Sequence, residues 1–194
     1  LDASMNTILE AHAAHQAIDP EGLKVRSWAR PGTAISLLVD RSGSMGGKPL
    51  ATSAMAAAAV AWRSPSDYSV IAFGKDCVVA KGQTSMKSSE EVINDVLALR
   101  GFGTTDLAGA LRGAGEQLSR TRAGRRITVI LSDCRATVAG DVQAAARALD
   151  EVVILAPCGD DAEAQVLAWQ VGARIACIDG PSDIPAALQA VLGD

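Results

Sequence analysis

The order of apolar segments predicts an α/β fold: a doubly wound, mostly parallel sheet with one antiparallel edge strand and helices on both faces. Three observations carry that expectation. Short apolar runs alternate with helix-length segments along the chain, the pattern of successive strand–helix units. Two of the runs, AISLLV over Ala34–Val39 and ITVILS over Ile127–Ser132, show little polar alternation, as in strands covered on both faces. The 194 residues are 48% apolar but only 3% aromatic, so the core must be built from Ala, Val, Leu and Ile.

Residues 1–32 stand apart as an N-terminal extension, with a helix expected around Met5–Gln16 and an extended segment near Lys24–Trp28. Residues 33–194 form the α/β domain. Its first strand, Ala34–Val39, stops at Asp40 and enters the Gly- and Ser-rich turn RSGSMGG, after which Lys48–Arg63 reads as an Ala-rich helix. Tyr68–Phe73 and Cys77–Ala80 are separated by Gly74, Lys75 and Asp76, short enough for a hairpin, which makes the second run the antiparallel edge strand. Ser88 and Glu91 have capping-box spacing ahead of a helix over Ser89–Leu99. After the loop Gly101–Thr105, Asp106–Leu118 reads as a helix in which Gly109, Gly113 and Gly115 weaken the intrinsic propensity, with Asp106 as its N-cap. Ile127–Ser132 is a second buried strand, again ending on a carboxylate, Asp133. Strands at Val152–Ala156 and Arg174–Ile178 then alternate with helices at Asp141–Leu149, Asp161–Val171 and Ser182–Leu192.

The formal net charge of −4 and the lack of a basic stripe argue against nucleic acid as a partner. No stretch approaches the roughly 18 consecutive apolar residues of a membrane span, and the N-terminus lacks the pattern of a secretory signal. Cys77, Cys134, Cys158 and Cys177 are widely spaced without a CxxC pair. They read as buried, reduced thiols, and the expected compartment is cytoplasmic.

In an open doubly wound sheet, ligands settle beyond the carboxyl ends of the strands, where strand order reverses. With the order 3-2-1-4-5-6, the strands ending at Asp40 and Asp133 are neighbours at that point. Two carboxylates in a partly desolvated crevice repel unless a proton or a cation offsets them. Ser42 and Ser44 add hydroxyls on the turn after Asp40, and Thr105 adds another from its own loop. An oxygen-only set without His or Cys suits a hard cation, Mg²⁺ above all.

The ordered set DRSGS, GFGTTDLAGAL and ILSDC resembles the von Willebrand factor A family, whose metal-ion-dependent adhesion site has the pattern DxSxS, then a distant Thr, then a distant Asp. The resemblance covers roughly Thr33 to Leu192 and implies a Rossmann-like domain. It places Asp40, Ser42, Ser44, Thr105 and Asp133 on the family's metal ligands, with Mg²⁺ as the expected cation and Mn²⁺ or Ca²⁺ as alternatives. It implies a non-enzymatic module whose cation takes an Asp or Glu side chain from a partner protein. In lacking a signal pattern and disulfide pairing, the chain also resembles the intracellular bacterial members that act beside MoxR-type AAA+ ATPases, so such an ATPase or its client is the implied partner.

A second reading is a Mg²⁺-dependent hydrolase or phosphotransferase using Asp40 or Ser44 as nucleophile. Against it, Ser42 stands where such enzymes carry a second Asp, and no lysine is clearly placed to hold phosphate. GSMGGKP is not a phosphate-binding loop, because the glycine spacing is one residue short and Pro49 replaces the Ser or Thr. Ser44 is not in GxSxG, since Ser42 occupies the first glycine position. His12 and His15 have no further His and no nearby acidic or Cys pair and belong on a surface helix, while Cys134, next to Asp133, reads as a structural thiol.

Overall fold

The computed structural model describes residues 32–41, 49–98 and 103–193. The expected extension over 1–32, with its helix, its extended segment and the His12/His15 pair, lies outside the described residues apart from Gly32, as do Ser42 and Ser44.

Six strands, β1 (Thr33–Asp40), β2 (Tyr68–Phe73), β3 (Cys77–Lys81), β4 (Arg125–Leu131), β5 (Glu151–Pro157) and β6 (Arg174–Ile178), form one sheet. Their order is β3-β2-β1-β4-β5-β6, the reversal expected from the sequence. All pairings are parallel except β2 with β3, the predicted hairpin at the edge. Between the strands run α1 (Pro49–Arg63), α2 (Ser89–Ala98), α3 (Leu107–Leu118), α4 (Val142–Arg147), α5 (Ala162–Val171) and α6 (Ile184–Leu192).

Alternation along β1 sorts the core into two layers. Ile35, Leu37 and Val39 face a layer with Ala56, Ala57 and Val60 of α1, Val92 and Val96 of α2, and Leu188 and Val191 of α6. Leu38 joins the opposite layer with Leu107, Leu111 and Ala114 of α3, Ala146 of α4, and Ala164 and Leu167 of α5. The small helix residues let the helices lie close on the sheet, which is how a core poor in aromatics closes. Helix starts follow local capping. Ser88 and Glu91 form the capping box ahead of α2, with Ser88 N donating to Glu91 Oε2 at 2.9 Å and Glu91 N to Ser88 Oγ at 3.2 Å. Asp106 caps α3 by accepting Gly109 N at 2.8 Å, and Asp141 caps α4 by accepting Ala144 N at 2.8 Å. Gly172, at φ 72°, ends α5 in the left-handed turn that glycine adopts without strain.

Two expectations are corrected. The last helix begins at Ile184 rather than Ser182, because Pro181–Asp183 forms a 3₁₀ turn and Pro185 sits in the first turn of α6, where its missing N–H costs nothing. The cysteines are not all reduced: Cys158 and Cys177 form a disulfide, with a Cα–Cα distance of 4.9 Å. The β5–β6 register causes this. It pairs Ala156 with Cys177 and Pro157 with Ile178, while Cys158 N donates to Ile178 O at 3.0 Å, so the two side chains meet across neighbouring strand ends. Cys77 and Cys134 remain free, but only Cys134 is buried.

Candidate functional site

β1 and β4 run in register through Val39 and Leu131, so Asp40 and Ser132 follow as the next opposed residues. Asp40 is 1% exposed, and its Oδ2 accepts a hydrogen bond from Ser132 Oγ at 2.6 Å. The same hydroxyl oxygen accepts Cys134 N at 2.9 Å. Ser132 therefore ties the end of β1 to the turn after β4, a role absent from the sequence-derived set. Only the strand register, which sets Ser132 opposite Asp40, could have signalled it.

Asp133 is fully buried. Its Oδ1 accepts Arg135 N at 3.0 Å, the short Asx-type contact that suits a tight turn. Its Oδ2 is buried and, among the described residues, accepts no hydrogen bond. The backbone turns sharply at Cys134, whose φ of 63° lies in the left-handed region that side chains other than glycine rarely enter. Such strain persists where the surrounding structure holds it. Here Ser132 Oγ holds the Cys134 amide, and Ala136 N reaches Cys134 O at 3.0 Å. Burial, and after it the negative charges of Asp133 and Asp40, push the Cys134 thiol up to about 12. A thiol so held is neutral near pH 7 and is no nucleophile, in keeping with its expected structural role.

Thr105 reaches the same rim from the loop before α3. It is 2% exposed. Thr105 N donates to Thr137 Oγ1 at 2.7 Å, while Thr105 O accepts Thr137 N at 3.1 Å and Val138 N at 3.2 Å. On its other side, Asp106 N donates to Gly74 O at 2.8 Å in the β2–β3 turn. The Thr105 loop is thus clamped between the β4–α4 loop and the hairpin. Gly140 makes the clamp possible, since a Cβ there would lie 2.8 Å from Ala108 Cβ.

Three of the five expected ligands are accordingly buried, Asp40 as the last residue of β1, Asp133 in the turn after β4 and Thr105 in the loop before α3, while Ser42 and Ser44 lie outside the described residues. The described part fits a hard divalent cation. A buried carboxylate oxygen without a hydrogen bond is costly unless something positive satisfies it. The donors are all oxygen, and since no group of three or more His, Cys, Asp or Glu that could hold a metal is found among the described residues, this rim included, the site rests on two carboxylates supplemented by hydroxyls. Beside the turn, a groove of about 630 Å³ runs between α4 and α5, bordered by Cys134, Ala136, Val142, Val166 and Leu167.

A family model described as von Willebrand factor type A domain matches residues 35–136. Solved structures share the fold at low identity. Proximal thread matrix protein 1 from the mussel byssus, in a form with a zinc-occupied MIDAS motif, matches with TM-score 0.65 and 16% identity, covering 84% of this chain and 47% of that one. The manganese-loaded TRAP protein of Plasmodium vivax matches with TM-score 0.64 and 15% identity, covering 84% and 74%. A von Willebrand factor type A protein from Catenulispora acidiphila matches with TM-score 0.62 and 18% identity, covering 84% and 42%. The chain spans about half the length of the mussel protein. Comparison with curated proteins gave no significant match.

Proposed function

Because the chain belongs to the von Willebrand factor type A domain family, we propose that it is a divalent-cation-dependent protein-binding module. Asp40, Ser42, Ser44, Thr105 and Asp133 are its ligand set, and residues 33–194 are the binding domain. The observation that carries this reading is the buried Oδ2 of Asp133, which accepts no hydrogen bond among the described residues. The zinc in the MIDAS motif of the mussel protein and the manganese in the Plasmodium protein support a divalent ion on this fold. Mg²⁺ is the proposed ion here, because it takes few protein ligands and keeps water, which suits two carboxylates supplemented by hydroxyls.

When bound, the cation supplies an electrophilic position for an outside carboxylate. The chain's own contribution is to bury Asp40 and Asp133 so that their charges are little screened, and to fix Thr105 through the clamp on its backbone. The partner then presents an Asp or Glu. On the resemblance to intracellular bacterial members, that partner is a MoxR-type AAA+ ATPase or its client, a resemblance that keeps the missing signal pattern but loses the unpaired cysteines to the Cys158–Cys177 bridge. Of the two nucleophiles of the hydrolase alternative, Asp40 fits less well because it is nearly inaccessible and already hydrogen-bonded to Ser132, while Ser44 lies outside the described residues.

The cytoplasmic setting belongs to the same proposal, but one of its arguments is gone. Bridged Cys158 and Cys177 suit an oxidising compartment. No described helix is long and apolar enough to cross a membrane.

The test is affinity capture from a native lysate with Mg²⁺ and with chelator, repeated with Thr105→Ala. That variant removes a neutral ligand and leaves the site's charge intact, so it should lower partner binding more than cation binding. A partner indifferent to chelator, to Thr105→Ala and to neutralisation of its own carboxylates would defeat the reading.

A further inference from the structure

Arg135 is two residues beyond Asp133, past the left-handed turn at Cys134, and its guanidinium folds back over the site. Its Nη1 stands 4.0 Å from Asp133 Oδ2, the buried oxygen that accepts no hydrogen bond. That distance is too long for a hydrogen bond but short enough for a strong charge interaction beside a buried carboxylate. The guanidinium is meanwhile held from the other side. Nη1 donates to Asp160 Oδ2 at 3.1 Å, Nη2 donates to Asp160 Oδ1, and Nε lies 3.5 Å from Glu163 Oε2. Asp160 is on the loop before α5 and Glu163 on its first turn, so the tether belongs to a different element from the metal rim. The Arg135 side chain is 45% exposed.

We infer that Arg135 is the site's built-in counter-cation: it offsets the charge of Asp133 when no metal is bound, and it opposes the metal when one arrives. The inference rests on the reading of Asp133 as a cation ligand. Its physical basis is that two positive charges share one carboxylate. An arginine cannot surrender its charge by deprotonation, so an incoming divalent ion meets a fixed repulsion. Asp160 and Glu163 keep the guanidinium from closing the last ångström onto Oδ2, where a direct hydrogen bond would occupy the oxygen outright. Arg135 thus lowers cation affinity and protects the metal-free fold.

Those two effects have opposite signs, which separates this role from a packing role. A residue that merely supports the loop would, on removal, weaken the fold and the cation site together. Removing a counter-cation should weaken the metal-free fold and tighten the cation site.

The experiment is calorimetric titration of the 194-residue chain with Mg²⁺, and separately with Mn²⁺, at low ionic strength, alongside melting curves in chelator. Arg135→Gln should bind the cation about tenfold more tightly, the scale expected of one unit charge about 6 Å from a divalent ion at the dielectric of water, which suits a guanidinium so open to solvent. It should melt at a lower temperature than the parent in chelator. Arg135→Lys keeps the charge and should stay within about twofold of the parent's affinity. If Arg135→Gln does not fold, Arg135→Met replaces it, since its stem packs similarly without the charge. An uncharged variant that folds and binds the cation no more tightly than the parent overturns the inference while leaving the metal reading intact. A parent whose titration is flat for both ions, with a folded spectrum, overturns the metal reading and the inference with it.

Discussion

Asp40 and Asp133 close two neighbouring parallel strands at the same rim, yet the fold treats their carboxylates differently. Asp40 is fastened by the Ser132 hydroxyl, which also holds the amide of Cys134. Asp133 uses one oxygen to shape its own turn through the amide of Arg135 and leaves the other without a hydrogen bond among the described residues, beneath a guanidinium at 4.0 Å. One carboxylate is committed to holding the rim together. The other is kept available. A cation site needs both: a ligand that fixes the geometry, and an oxygen not already occupied by a hydrogen-bond donor.

The largest effect that would sharpen this comparison is the response of the whole domain to the cation. If Asp133 Oδ2 is held open for a metal, Mg²⁺ in hundredfold excess over its Kd should stabilise the fold by about 2.7 kcal/mol relative to chelator. The domain should nonetheless remain folded without metal, because its core lies in the two layers on the sheet. Thermal melts with Mg²⁺ and with chelator measure both. Unfolding on chelation would mean that the rim, not the core, carries the stability.

A smaller effect separates the fastened carboxylate from the available one. Ser132→Ala removes the donor to Asp40 Oδ2 and the acceptor of Cys134 N in a fully buried place. Leaving such groups unpaired should cost about 2 kcal/mol, read by denaturant unfolding in chelator. Ser132→Thr keeps the hydroxyl and should recover part of the loss if the added methyl is accommodated. An unchanged midpoint for Ser132→Ala would show that the hydroxyl holds nothing.

The smallest effect energetically is a count. With Cys158 bridged to Cys177, a thiol-reactive reagent without reductant should titrate two thiols in denaturant, Cys77 and Cys134. In the native protein it should titrate only the exposed Cys77 promptly, because the Cys134 thiol is buried and pushed up to about 12. Four thiols in denaturant would restore the reduced state expected from the sequence.

That disulfide marks where sequence reading stops. The order found is the one the sequence admitted as a condition: the short gap Gly74–Asp76 made the β2–β3 hairpin legible, and the mostly apolar runs marked the buried strands. The two carboxylates were legible for the same reason, as each follows such a run directly. Ser132, Arg135 and the Cys158–Cys177 bridge depend instead on register between strands distant in sequence and on one backbone angle. Ser132 meets Asp40 only because β1 and β4 pair as they do. Cys177 meets Cys158 only because α5 and its flanking turns return β6 at that register. Arg135 reaches Asp133 only because Cys134 takes a left-handed turn that a cysteine does not advertise. Spacing and residue type report local periodicity; the first two contacts are long-range, and the third, though it spans two residues, turns on one backbone angle that no periodicity encodes.

The most direct test of the central claim, that Asp133 is kept available for a divalent cation, is Mg²⁺ titration calorimetry on the parent and on Asp133→Ala, with circular dichroism to confirm that both are folded. The account predicts a one-site isotherm for the parent and an affinity at least about tenfold weaker for the variant, a difference of about 1.4 kcal/mol or more. A folded Asp133→Ala that binds Mg²⁺ as tightly as the parent would contradict it and remove Asp133 from the site.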